Sequence, residues 1–118
     1  MSYNFTNETP IYLQIVDIII NDIISGNIKP GDRLLSVRDY SSLFKANPNT
    51  IQKSLMIIED KKLIYTERTN GKFVTDDLIL INKFKKEIFE LKFNNFLKEI
   101  NNMGFSYQDI ETKLKEIK

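Results

Sequence analysis

Residues 45 to 55, which read KANPNTIQKSL, constrain the fold of this chain more than any other segment. A proline usually interrupts a helix, but at the first helical position its missing N–H has no partner to lose. Asn47 is a favourable N-cap, so Pro48 is predicted to begin a helix instead of ending one. Apolar residues then recur at helical spacing on one face, and polar residues occupy the opposite face. The apolar face comprises Ile51, Leu55 and Ile58, and the other face comprises Asn49, Gln52, Lys53 and Met56.

A second predicted helix comes directly before this one. Ser36 with Asp39 three residues later is typical of a capping box, which predicts a helix over about residues 37 to 44. Its inward side chains are expected to be Val37, Tyr40, Leu43 and Phe44. Lys45 and Ala46 alone separate this helix from the cap of the next. Such a short connection favours a helix-turn-helix crossing over antiparallel packing.

The remaining elements follow from local signals. Thr9 as the cap and Pro10 at the first helical position predict a first helix to about residue 25, which Gly26 ends. After the third helix, residues 63 to 66 and 72 to 75 predict two strands around a turn centred on Asn70 and Gly71. A long helix is predicted from about 76 to 103, and a second capping box, SYQD, opens a final helix to about 117.

This order predicts a mainly α protein with a small β-wing. Residues 1–75 would form a winged helix-turn-helix domain, and residues 76–118 a C-terminal helical region for dimerisation. Within the first domain, residues 29 to 75 hold nine basic and five acidic residues, a net charge of +4, while the whole chain has only +1. All three arginines of the chain lie in that segment, where a planar guanidinium suits phosphates and guanine edges.

Composition excludes most catalytic chemistry. The chain has no cysteine and no histidine, so we expect no metal site, no cofactor and no enzymatic activity. No apolar run has the roughly 20 residues that a membrane span needs, and the first ten residues lack the pattern of a signal peptide. We therefore expect a cytoplasmic protein without a membrane partner.

The segments PIYLQI, SGNIKPGDRL, SVRD, NTI and GKFV occur in this order between Pro10 and Val74. In order and spacing they resemble the GntR-type winged helix-turn-helix transcriptional regulators. The NPNT sequence and the short C-terminal region are similar to the YtrA-like branch of that family, in which two helices dimerise in place of a large effector domain. The resemblance implies a double-stranded DNA partner and a homodimer. Three positions depart from the family pattern: Leu35 replaces a proline, Thr69 replaces a wing glycine, and Gln52 stands where arginine is common.

The third helix supplies the first candidate DNA contacts. A recognition helix presents its N-terminal turns to the major groove, and its free N–H groups favour phosphate. Backbone contacts are expected from Asn47, Asn49 and Thr50, and base contacts from Gln52 and Lys53, since glutamine can pair with adenine and lysine with guanine. The alternative is an ordinary solvated helix face on which Asn47 is only a cap.

The family resemblance adds further candidates. It implies DNA contact by Arg38 on the second helix and by Arg68 and Lys72 beside the wing turn. The alternatives are an i, i+4 surface partner for Arg38 and an ordinary solvated hairpin for the two wing residues. Arg33 and Lys45 are candidates for phosphate contact, and solvated loop positions would explain them as well.

Two apolar stripes lie along the long predicted helix. We expect Ile81, Phe84, Ile88 and Leu91 to pack on the first helix. The second stripe is predicted to form a homodimer interface, unless the last helix folds back over it; it comprises Phe89, Phe93, Phe96, Ile100 and Met103.

Together these features favour a dimeric repressor that binds an inverted-repeat operator. The third helix would lie in the major groove and the wing at the minor groove. The alternative is a winged-helix module that binds another protein and has lost DNA recognition. A small-molecule effector is possible in this class, but the sequence identifies no site for one.

Overall fold

The computed structural model describes residues 3–117 and confirms the predicted mainly α architecture with one antiparallel hairpin. In chain order the elements are α1 (Ile11–Ser25), α2 (Val37–Phe44), α3 (Pro48–Asp60), β1 (Ile64–Glu67), β2 (Gly71–Val74), α4 (Leu78–Asn102) and α5 (Tyr107–Lys115). The chain forms two compact units that divide after Lys83, within α4. The predicted domain limit between residues 75 and 76 stays a prediction. No helix between residues 3 and 117 is long and apolar enough to cross a membrane.

The start of α1 differs from the prediction. Pro10 is the N-cap residue instead of the first helical residue, and no side chain caps this end. The side chain of Gln14 binds the preceding segment instead: its Nε2 donates to the carbonyls of Thr6 (2.9 Å) and Thr9 (2.6 Å). Its Oε1 accepts the backbone N–H of Thr6 at 3.1 Å. A side chain one turn inside the helix therefore binds backbone groups of the segment before it, but these three bonds involve no N–H group of the first helical turn.

The capping side chains predicted for α2, α3 and α5 are present, but of the two predicted capping boxes only the one at α5 has both bonds. Ser36 Oγ accepts the backbone N–H of Asp39 at 3.0 Å. Asn47 Oδ1 accepts the backbone N–H of Asn49 at 2.8 Å, and Pro48 is the first residue of α3. At α5 the capping box is complete, because Ser106 Oγ accepts the backbone N–H of Asp109 and the backbone N–H of Ser106 donates to the Asp109 carboxylate at 2.8 Å. These caps fix where each helix begins.

The core of the first unit lies between α1 and α3, which pack against each other. Its fully buried side chains include Ile15, Ile19 and Ile23 of α1 and Ile51, Leu55 and Ile58 of α3. Ser54 is also buried, and its hydroxyl donates to the carbonyls of Tyr12 (2.8 Å) and Thr50 (3.0 Å). This polar group is therefore satisfied, and it ties α3 to α1. Leu43 was predicted to face inward but is 42% exposed, since Tyr40 and Phe44 already occupy the core side of the short α2.

The hairpin also differs in one detail from the prediction. Glu67 pairs with Gly71, and the carbonyl of Glu67 accepts the N–H of Asn70 at 3.1 Å. The turn is therefore centred on Arg68 and Thr69, not on Asn70 and Gly71. The extended segment after α1 lies beside β2, because Arg33 forms an isolated antiparallel bridge with Phe73.

The second unit contains most of α4 and all of α5. None of its described side chains, from residue 84 to 117, is fully buried. Of the first predicted stripe, Ile81 is buried in the first unit, whereas Leu91 is 62% exposed. The prediction that this stripe is covered along its length is therefore wrong at Leu91.

Candidate nucleic-acid interface

The N-terminal half of α3 presents a polar surface to solvent. Asn49, Gln52 and Lys53 are exposed, and Thr50 is half-buried. The side chain of Asn47 accepts one backbone N–H of the first turn. The backbone carbonyl of Asn47 accepts the N–H groups of Thr50 and Ile51 at 2.9 and 3.1 Å. A helix end of this kind carries partial positive charge directed outward, which favours an anionic partner such as a phosphate.

Lys53 is held in place by an aromatic ring. Its Nζ lies 3.9 Å from the centroid of the Tyr12 ring on α1. A lysine ammonium over an aromatic face is stabilised by about 0.5–1 kcal/mol at an exposed site. The sequence did not identify Tyr12, because the contact joins residues that are distant in the chain.

Gln52 lies on a groove beside the wing. The groove has a volume of about 450 Å³ and is lined by Val37 of α2, by Lys72 of β2 and by the α3 residues Gln52, Leu55, Met56, Glu59 and Asp60. Gln52, a candidate base contact, and Lys72, a candidate wing contact, therefore border one surface.

Lys72 is paired within the protein. Its Nζ lies 2.6 Å from Glu59 Oε1 of α3 and 2.7 Å from Thr66 Oγ1 of β1. Thr66 Oγ1 in turn donates to the Glu59 carboxylate, at 2.9 and 3.1 Å from its two oxygens. The hydrogen bond from Lys72 lowers the pKa of Glu59 below its usual value, and the hydrogen bond from Thr66 adds to this effect. Glu59 is therefore ionised in the folded protein at neutral pH, and no sequence motif pointed to this residue.

The wing turn approaches Arg33. Gly71 has a φ of +100°, and a Cβ at this position would lie 3.2 Å from Nε and 3.3 Å from a terminal nitrogen of Arg33. Because Gly71 has no side chain, the guanidinium of Arg33 can lie close to the backbone at the end of the wing turn. Arg68 is exposed at the tip of the same turn. The structure brings these two arginines to one hairpin, although they are distant in sequence.

The two remaining basic candidates lie on or beside α2. Arg38 is the second residue of that helix and is exposed. Lys45 follows its last residue, has a left-handed backbone with φ 53°, and is also exposed. Lys45 is therefore part of the sharp turn that separates α2 from α3.

The second unit carries an exposed apolar surface. The rings of Phe89 and Phe93 stack with centroids 5.9 Å apart, and both are exposed. Phe96 and Met103 are also exposed, and Ile100 is half-buried. Thus α5 does not cover most of the second predicted stripe.

A groove of about 380 Å³ separates α4 from α5. Its lining is almost wholly apolar and comprises Phe96, Ile100, Phe105, Asp109, Ile110, Lys113, Leu114 and Ile117. The α5 residues extend the apolar surface beyond the predicted stripe. Their spacing, with apolar residues at 110, 114 and 117, was a signal that sequence reasoning missed.

Comparison with known proteins gives the family. Residues 11–74 match the family model described as bacterial regulatory proteins, gntR family. The uncharacterized HTH-type transcriptional regulator YhcF of Bacillus subtilis is 30% identical over 98% of this chain and 95% of its own length. The HTH-type transcriptional repressor YtrA of Bacillus subtilis is 37% identical over 60% of this chain and 55% of its own length.

A solved structure extends the similarity to both units. It is a GntR family transcriptional regulator from Listeria monocytogenes, with 34% identity and a TM-score of 0.87 over 97% of this chain and all of that one. The resemblance noted in the sequence is thereby confirmed, as is the prediction of a regulator instead of an enzyme. The chain belongs to the GntR family of bacterial regulatory proteins, a family of DNA-binding transcriptional regulators.

Proposed function

We propose that this protein is a homodimeric repressor that binds an inverted-repeat operator in double-stranded DNA. The observation that carries the proposal is the exposed polar N-terminal half of α3, whose start is fixed by Asn47 and Pro48. A helix of this kind, preceded by a short turn and a second helix, has the shape that enters a major groove.

Within this proposal the contacts divide by role. Gln52 and Lys53 read base edges, because both are exposed on the polar face of α3. Asn49 and Thr50 contact the DNA backbone at the same helix end, and Arg38 contacts a phosphate. Arg68 reaches the minor groove from the wing tip. Phosphate contacts provide most of the affinity, so binding weakens steeply as salt rises.

Dimerisation is supported by the surface of the second unit. A segment of 35 residues in which none of the described side chains is fully buried has no core of its own. Its exposed aromatic surface, centred on Phe89 and Phe93, would be removed from water by a second copy. A two-fold dimer would place two copies of α3 in successive major grooves, roughly 34 Å apart.

Repression is supported by the relative YtrA, which is named a transcriptional repressor. Occupying a promoter is the simplest way in which such a dimer would act.

The test is a titration of the protein against DNA from upstream of its own gene and against a shuffled duplex of the same composition. At about 150 mM salt we expect clear preference for the natural duplex. Lys53→Ala should weaken binding by about 1–3 kcal/mol if Lys53 reads a base. Lys98→Ala, which removes an equal charge from α4, is the matched control and should leave affinity unchanged. Equal binding of both duplexes by the wild-type protein would contradict the proposal.

One observation favours the alternative of a protein-binding module. Lys53 and Lys72, two of the candidate DNA contacts, have partners within the chain, namely Tyr12 and Glu59. If the natural and shuffled duplexes bind equally, this alternative becomes the better account. It predicts that replacing Arg38 and Lys53 by alanine leaves binding of a protein partner intact.

A further inference from the structure

The Glu59 carboxylate joins α3 to both strands of the wing. It contacts Lys72 Nζ of β2 and Thr66 Oγ1 of β1, and these two residues are direct partners across the hairpin. Lys72 and Thr66 also contact each other at 2.7 Å. Each of the three side chains therefore binds the other two, and we call this set the wing triad.

The wing triad lies in the outer half of the hairpin, where the backbone N–H of Leu34 also donates to the carbonyl of Lys72 at 2.8 Å. At its base the Ile64–Val74 pair is buried in the core. Two positions further toward the tip, on the same face of the hairpin, is the Thr66–Lys72 pair. A hairpin with four residues in each strand is only marginally stable by itself, so its outer half depends on contacts with its neighbours. Glu59 supplies such a contact to the outer half.

The charge of Glu59 is otherwise hard to reconcile with a DNA-binding surface. A carboxylate beside a phosphate backbone is repelled, and Glu59 borders the same groove as Gln52. The ion pair with Lys72 neutralises the negative charge of Glu59 locally, and it engages the Lys72 ammonium within the protein. A hydrogen-bonded ion pair of this kind fixes geometry better than a solvated lysine does.

We propose that Glu59 is the positioning residue of the wing, and that Lys72 holds the hairpin against α3 instead of contacting a phosphate. The inference rests on the proposed function, because the wing is held there for DNA. The wing tip with Arg68 and the polar face of α3 then meet DNA as one rigid surface. Lys72, one of the candidate DNA contacts from the sequence, takes a structural role under this proposal.

The first experiment needs no DNA. Amide hydrogen exchange is measured on the wild-type protein, on Glu59→Gln and on Glu67→Gln. Glu67 is the matched control, because it is a carboxylate on the same hairpin whose partner is Asn70 and not Lys72. We expect Glu59→Gln to speed exchange in the outer hairpin while α1 amides stay protected. Equal exchange in the hairpin of all three proteins would overturn the proposal, whatever the protein binds.

The second experiment uses the natural upstream duplex. Both glutamine variants remove one negative charge, which by itself should favour DNA. We expect Glu59→Gln to weaken binding by about threefold to tenfold, because a lost charge-assisted contact lets the wing move. Glu67→Gln should bind as well as the wild-type protein or better. Equal or tighter binding by Glu59→Gln would contradict the positioning role, whereas failure of the wild-type protein to discriminate between duplexes would count against the proposed function alone.

Salt dependence separates the two roles of Lys72. A lysine that contacts a phosphate contributes about 0.9 to the slope of log K against log salt. We expect Lys72→Met to lower affinity and keep the slope, while Arg68→Met lowers the slope. A slope reduced by about 0.9 in Lys72→Met would show that Lys72 binds DNA directly and would overturn the proposal. The exchanged pair Glu59→Lys with Lys72→Glu should recover part of the affinity that either single change loses.

Discussion

Asn47→Ala tests the structural reason for the position of α3. The change removes one hydrogen bond, from the backbone N–H of Asn49 to Asn47 Oδ1 at 2.8 Å. Replacing an asparagine N-cap by alanine costs about 0.5–2 kcal/mol. Asn47 is exposed, so the change removes no buried apolar area and water can reach the released N–H. We therefore expect a loss of about 1 kcal/mol, within the lower half of that range.

The assay is thermal and denaturant unfolding followed by circular dichroism. A loss of about 1 kcal/mol lowers Tm by roughly 4–8 °C for a domain of this size. Asn47→Asp is the matched control, because aspartate accepts the same bond and places a negative charge at the positive end of the helix. It should be as stable as the wild-type protein. An unchanged Tm in Asn47→Ala would refute the capping argument.

The same two variants separate capping from DNA contact. If Asn47 is only a cap, Asn47→Ala should bind DNA nearly normally at temperatures well below its Tm. Asn47→Asp keeps the helix but adds a charge that phosphates repel, so it should bind DNA more weakly despite normal stability. Weak binding by Asn47→Ala at full folding would assign Asn47 a direct contact in addition to the cap.

Three further predictions concern other contacts. Phe93→Glu places a charge within the exposed aromatic surface of the second unit, so the protein should sediment as a 13.9 kDa monomer; a persistent dimer would move the interface elsewhere. The Lys72 hydrogen bond lowers the pKa of Glu59, so the ionised Glu59 should contribute its full stability above about pH 5 and lose that contribution as pH falls through its folded pKa. A difference in Tm between the wild-type protein and Glu59→Gln that stays constant between about pH 3 and 7 would contradict this. For the contact between the Lys53 ammonium and the Tyr12 ring, a double-mutant cycle of Tyr12→Leu and Lys53→Met should give a coupling free energy of about 0.5–1 kcal/mol. Tyr12→Phe should retain the interaction, because its ring has the same face.

Much of the fold could be predicted because its signals are local. The caps at Ser36, Asn47 and Ser106 each involve a backbone group only two or three residues away, and Gly26 ends α1 with a left-handed backbone, φ 85°. The apolar face of α3 follows directly from helical spacing. Sequence reasoning therefore placed the helices and the short turn between α2 and α3.

The start of α1 and the position of the hairpin turn could not be predicted from local sequence signals. At the start of α1 the side chain of Gln14 binds Thr6 and Thr9, which lie eight and five positions earlier, and no local capping signal indicates such a contact. At the hairpin, the strand register moved the turn to Arg68 and Thr69, although Asn70 and Gly71 have the stronger local preference. Tertiary pairing decided the hairpin register.

The candidate site shows the same division. Exposure of Gln52 and Lys53 was predictable from the helical face. The partners of the lysines were not, since Glu59 reaches Lys72 only after the hairpin folds and Tyr12 reaches Lys53 only when α1 packs on α3. A sequence lists the charges of an interface, but only the fold decides which of them pair with each other.

The most direct test of the central claim is selection of binding sites from a random pool of duplex DNA by the wild-type protein and by Gln52→Arg. The wild-type protein should enrich an inverted repeat whose half-site centres lie roughly 34 Å apart along the duplex. Gln52→Arg should enrich the same repeat with altered base preference at one position in each half-site, because arginine pairs with guanine where glutamine pairs with adenine. Enrichment of no common sequence by the wild-type protein would contradict the account, and an identical site for both proteins would remove Gln52 from base recognition.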